Sequence, residues 1–145
     1  MPKLPTALAA ALLSAAVVVP AVVVPAVPAR AAATTPEAQV NTFFREYRRA
    51  VLDTKDRSPA EVRAHYLTPD LNKRLDAWAQ ANDADPVFRA QNVPRDWSTR
   101  YEGSGAGHTT IVLTERWGGG QSQDVWHSVD LGTLVISDLE DLPAQ

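Results

Sequence analysis

The chain contains no cysteine. No disulfide can staple it, no thiolate can complete a tight transition-metal site, and no lipid can be attached through a cysteine at a cleaved amino terminus. A domain without disulfides must draw its stability from apolar burial. An excess of positive charge is missing as well, because 14 Lys and Arg stand against 17 Asp and Glu for a formal charge of −3, which argues against nucleic-acid binding through a basic patch. A long unbroken apolar run is also lacking. Leu4 to Val27 is almost wholly Ala, Val, Leu and Pro, but Pro20 and Pro25 interrupt it and Pro28 follows. A membrane-spanning helix needs about 20 apolar residues without such breaks.

What the first residues do contain is an export signal. Met1 to Lys3 form a short positive n-region, an apolar stretch follows, and Ala29-Arg30-Ala31 or Ala31-Ala32-Ala33 offers a small-residue cleavage site. Residues 1–31 therefore read as a signal peptide and residues 32–145 as one domain, secreted or extracytoplasmic after cleavage near Ala31, with no stable membrane anchor. Cleavage removes Lys3 and Arg30, so 12 basic residues remain against 17 acidic ones, a formal charge of −5. The 114 residues left of the 145 suffice for a single core.

The first half of that domain reads as helical. Thr35-Pro36, Ser58-Pro59 and Thr68-Pro69 each pair a capping hydroxyl with a proline suited to a first turn, so each marks a helix start. Glu37 lies three residues after Thr34 and Glu61 three after Ser58, spacings that predict capping boxes. Val40, Phe43, Phe44, Tyr47 and Val51 recur at helical spacing from Pro36 to about Leu52. Shorter helices are predicted from Pro59 to about Tyr66 and from Pro69 to about Ala81, and the run Asn82-Asp83-Ala84-Asp85-Pro86 ends helical structure.

The second half changes to an alternating period. Trp97, Thr99 and Tyr101 share one side of a first strand, Ile111 and Leu113 of a second, Val125, His127 and Val129 of a third, and Leu134 and Ile136 of a fourth, with the glycine clusters as turns. Four successive strands imply an antiparallel meander. A three-residue loop at Gly118 to Gly120 would set Trp117 opposite Gln121, Leu113 opposite Val125 and Ile111 opposite His127. That register puts His127 on the apolar side, and Thr110, Val112, Thr114, Asp124, Trp126 and Ser128 on a largely solvated one.

Phe43-Phe44-Arg45-Glu46-Tyr47, Tyr66-Leu67-Thr68-Pro69-Asp70-Leu71, and Asp83-Ala84-Asp85-Pro86 followed by Ala90-Gln91-Asn92-Val93-Pro94 resemble an uncharacterised family of small bacterial envelope or secreted proteins with the nuclear transport factor 2-like, or cystatin-like, fold. The likeness spans about Val40 to Leu139, although the last strand, Gly132-Thr133-Leu134-Val135-Ile136-Ser137-Asp138, lacks the aromatic such families often carry. It implies an α+β architecture with three N-terminal helices over a curved four-stranded antiparallel sheet, forming a cone whose cavity faces the first helix.

His127 is the leading candidate for chemistry, since an imidazole titrates near neutrality and can serve as a general base. The register sets no carboxylate opposite it to orient it, so a core histidine bonded to a backbone carbonyl is the competing reading. Tyr47 and Tyr101 are weaker catalytic candidates, as hydroxyls that the resemblance would direct into the cavity. Asp53, Asp56, Asp83 and Asp85 read as turn and cap residues. Trp126 and Val112 are neighbours on the outer face and form a candidate ligand, partner or homodimer surface. The glycine-rich loops precede strands and so do not cradle phosphate, and His65, His108 and His127 show no metal spacing. No cofactor or metal is expected. The leading expectation is a non-enzymatic exported domain binding a small ligand or an extracytoplasmic protein. A cofactor-free isomerase or hydrolase using His127 with Tyr47 or Tyr101 is the alternative, and a purely structural or inhibitory partner acting through the outer face is a third.

Overall fold

Three hydroxyl–proline pairs start three helices. A computed structural model describes residues 33–141 and Val23; apart from Val23, the export segment expected at residues 1–31 lies outside the described residues, as do residues 142–145. Helix α1 spans Pro36–Leu52, α2 Pro59–Tyr66 and α3 Pro69–Asn82. Thr35, Ser58 and Thr68 are the N-caps, and their side chains accept the amides of Ala38, Glu61 and Leu71. At Ser58 the capping box closes, with the Ser58 amide donating to Glu61 Oε2 at 2.7 Å. The box expected from Thr34 and Glu37 does not form, because Thr35 takes the cap and Glu37 instead accepts the Thr99 hydroxyl at 3.0 Å.

The strands are β1 Asp96–Gly105, β2 His108–Gly118, β3 Gln121–Asp130 and β4 Ile136–Asp141, joined as an antiparallel sheet in the order β1-β2-β3-β4. Leu113 pairs with Val125 and Ile111 with His127, as the alternation predicts. The hairpin itself differs from the expectation. Gly118 pairs with Gln121 across a turn made by Gly119 and Gly120, whose φ angles are 62° and 80°, and Trp117 is left as an extra residue in a bulge. Both turn residues need positive φ, which glycine adopts without strain. The fourth strand also begins later than expected. Leu134 has a φ of 61° and lies before β4, which runs on through Asp138 to Asp141.

The helices precede the strands in the chain and cover one face of the sheet. Helix α1 lies against β1, β2 and β3, and α3 lies along β4. Leu67, between α2 and α3, forms a parallel bridge with Ile136, and the Thr68 amide donates to the Ile136 carbonyl at 3.0 Å. Thus α1 brings Val40, Phe43, Phe44 and Tyr47 into one apolar cluster with Ile111, Leu113, Val125 and Val129. Phe44 is the hub of its aromatic part, with ring centroids 5.5 Å from Phe88 and 5.1 Å from Trp97.

Because Phe44 is fully buried between helix, sheet and the segment carrying Phe88, Phe44→Ala is expected to cost about 3–5 kcal/mol in urea unfolding. Leu52, which is 58% exposed at the end of the same helix, is expected to tolerate alanine within about 0.5 kcal/mol.

Candidate functional site

The two faces of the sheet carry different chemistry because each strand alternates its side chains. On the inner face, His127 is 1% exposed and its Nδ1 lies 3.2 Å from the Val125 carbonyl. That contact assigns the proton to Nδ1, which donates, and leaves Nε2 a bare acceptor with no partner. Burial lowers its pKa to about 4; the Val125 bond opposes this and the Arg89 charge adds to it. The imidazole is therefore neutral at pH 7 and has no carboxylate orienting it.

Tyr47 also faces inward, at 3% exposure, and its hydroxyl donates to Asp85 Oδ2 at 2.8 Å. Burial, followed by the Asp85 charge, raises its pKa far above the ordinary phenol value. It is held as a hydrogen-bond donor. Tyr101 does not join them. It is 60% exposed near the end of β1, where the pairing breaks between Tyr101 and Gly103, and its hydroxyl donates to Ser104 Oγ at 3.1 Å. The expectation that its hydroxyl enters the interior fails because the bulge at Glu102 ends regular alternation at that point.

Glu115 belongs to the site but was not singled out from sequence. It follows Ile111 and Leu113 at the same parity on β2, pairs with Gln123 across the hairpin, and is 0% exposed. Neither carboxyl oxygen has a hydrogen-bond partner among the described residues. Burial, then the charges of Asp85 and Asp141, raise its pKa to about 9, so it is a neutral acid at pH 7. The alternation of β2 carries the signal for it, since an acid in phase with the core residues of a central strand is out of place.

The segment between α3 and β1 closes this end of the inner face. Asp83 ends α3 in left-handed backbone, and Asp85 Oδ1 accepts the amides of Val87 and Phe88 at 2.8 and 2.9 Å, so the turn and cap roles expected for these acids are present. Val87 and Phe88 are fully buried, and Phe88 sits 5.2 Å from Tyr47 between ring centroids. Arg89 follows with a φ of 50°, a conformation costing a non-glycine residue about 1–2 kcal/mol. Three contacts hold it there. Its Nη2 donates to the Leu139 carbonyl at 2.7 Å, its Nε lies 2.8 Å from Asp141 Oδ1, and its guanidinium stacks over Trp78 at 4.3 Å. The Nε–Asp141 contact is an ion pair whose angle falls outside that of a hydrogen bond, and Nη1 has no partner.

On the outer face, Val112 is 0% exposed rather than part of an open apolar patch. It lies in the middle of a cross-strand row between Arg100 and Trp126, so its own neighbours cover it. Trp126 is half-buried, borders a groove of about 270 Å³ with Thr110, Ser128, Asp138 and Glu140, and has an unpartnered indole nitrogen. Arg100, Thr114 and Asp124 form a polar network beside it, with the Thr114 hydroxyl donating to Asp124 at 2.6 Å. The pair Trp126 and Val112 thus offers far less apolar area to a second copy than the alternation suggested.

No family model matches the chain, and no curated protein matches it significantly. Among solved structures it is similar to a protein of unknown function from Bacteroides thetaiotaomicron VPI-5482, with 19% identity, a TM-score of 0.56, and a match covering 72% of this chain and 88% of that one. At that identity the likeness speaks to fold alone.

Two pH and stability outcomes follow from the buried groups. Folded Glu115 holds its proton up to about pH 9, whereas the unfolded chain loses it near pH 4.5, so the native state binds more protons between those values and stability falls as pH rises. Over pH 7–9 urea unfolding is expected to show a loss approaching 1.4 kcal/mol per pH unit, roughly the limit for one proton, and Glu115→Gln is expected to flatten it. His127→Ala is expected to cost about 1–3 kcal/mol at pH 7, because it strands the Val125 carbonyl and empties a filled site.

Proposed function

We propose that the protein is an exported, non-enzymatic domain that binds a small ligand outside the cytoplasm, the ligand reaching Glu115 on the inner face when the segment from Asp83 to Arg95 that covers it opens. Three helices laid over a four-stranded antiparallel meander support a nuclear transport factor 2-like cone, and the proline-broken apolar run ending near Ala31 supports export by cleavage. The observation that carries the reading is Glu115, a central-strand acid whose two oxygens have no partner among the described residues and which lies at 0% exposure on the core side of the sheet. Natural cores rarely keep such groups without a use, since each buried unpaired polar group costs about 1–3 kcal/mol. A neutral carboxyl both donates and accepts, which suits it to fix the orientation of a polar ligand.

Binding is favoured over catalysis by how the polar groups are held. His127 is neutral and bonded to backbone, Tyr47 is committed to Asp85, and Glu115 pairs with neither. A hydrolase that works through a covalent intermediate would need a nucleophile and a base within hydrogen-bond reach, and these three groups do not form such a pair. The strained Arg89 and the charge contacts that hold it give the covering segment a closed state that can be exchanged for an open one, through which ligand enters.

Native-state amide hydrogen exchange tests this. The amides of Val87 and Phe88 are expected to exchange through an opening at least about 2 kcal/mol cheaper than global unfolding, while those of Leu113 and Val125 exchange only with it. Exchange of all four at the global free energy would mean a sealed core and would overturn the reading.

A further inference from the structure

The bulge at Trp117 generates a second site, on the outer surface of the segment from Asp83 to Arg95 rather than beneath it. In unbroken β2 alternation Trp117 would share the inner side with Leu113 and Glu115. As the extra residue between Arg116 and Gly118 it has no cross-strand partner, and bulges commonly re-aim a side chain in this way. Its indole N–H donates to the Asn92 carbonyl at 2.9 Å, which fixes one edge of the ring against the chain approaching β1. Beside it runs a cleft of about 470 Å³, within the range of small-molecule sites, between Gln91 and Asn92 on one bank and Gln121, Ser122 and Gln123 on the other.

Among the described residues no charged side chain lines this cleft. What lines it is one indole, four carboxamides and a hydroxyl, groups that donate and accept hydrogen bonds without selecting for charge. Gln91 and Gln123 are anchored to the carbonyls of Asp83 and Phe88, while Asn92, Gln121 and Ser122 are exposed. Gly120, which also lines the cleft, leaves it open at that point, since a Cβ there would meet nothing within 4 Å.

We propose that this cleft binds a neutral glycan. A sugar ring presents an apolar C–H face that suits an indole and a perimeter of hydroxyls that suits carboxamides, and it needs no charged partner. An acetamido group would find the same donors and acceptors. A neighbouring groove of about 490 Å³ shares Gly120, Gln121 and Ser122 and continues toward Arg95, Asp96 and Arg116, giving a longer ligand a path beyond the cleft. An anionic ligand is disfavoured by the lack of a cation in the cleft itself.

The test is an NMR titration of the full chain with maltotriose, cellotriose and triacetylchitotriose, following the indole N–H of Trp117 and the backbone amides of Gln121 and Ser122. At least one trisaccharide is expected to give saturable shifts at these positions, with a Kd on the order of 1 mM or tighter. Trp117→Ala and Gln121→Ala are each expected to weaken that binding at least about fivefold, while Trp126→Ala on the outer face leaves it unchanged. Should Trp117→Ala fail to fold, the exposed Gln121→Ala decides. No saturable shift with any of the three sugars at about 20 mM, unchanged affinity in Gln121→Ala, or shifts produced only by trialanine offered as a peptide control would each overturn the proposal.

Discussion

A four-stranded sheet with one apolar face must have that face roofed along its whole width, and here a single helix is too narrow to do so. Helix α1 covers the middle with Phe43, Phe44 and Tyr47, α3 lies along β4, and the gap left beside α1 is filled by Val87 and Phe88 from a segment with no regular structure of its own. Phe88 locks into the roof edge-on to both Phe44 and Tyr47. This aromatic junction forces the intervening backbone to turn sharply. Asp85 satisfies the amides exposed by the turn, and Arg89 accepts an unfavourable backbone conformation that Trp78, Leu139 and Asp141 then stabilise.

The polar groups of the inner face follow from that same roof. Because Val87 and Phe88 close it, Glu115 and His127 are cut off from water, and burial pushes their proton affinities in opposite directions. Both are driven neutral. An interior holding a neutral acid and a neutral imidazole behaves as a polar lining rather than as a charge pair. The ionic contacts gather instead at the margin, where Arg89 meets Asp141 and Arg74 meets Asp138.

Local chemistry made the helices readable from the chain alone. Thr35, Ser58 and Thr68 each carry a cap and a following proline, and the three helices begin where those pairs stand. The register of β2 against β3 was equally legible, because Ile111, Leu113, Val125 and Val129 fix which parity faces inward. Glu115 obeys that parity, yet an acid is read as a solvent-facing residue unless the alternation is followed through it. Arg89 and Trp117 could not be found this way, since one depends on a left-handed turn and the other on a bulge, and both break the periodicity on which the reading rests. Val112 shows the complementary failure. Its parity was right, but burial on an outer face is decided by how Arg100 and Trp126 lie across it, and period two says nothing about that.

The bridge between Leu67 and Ile136 ties the connection of α2 and α3 to the final strand. It closes a loop of some seventy residues, so the helical half cannot finish docking until the far end of the polypeptide has arrived. Until Ile136 is in place, the turn between α2 and α3 has no strand to bridge and the sheet lacks its fourth member, so the two halves of the fold complete each other in one cooperative step.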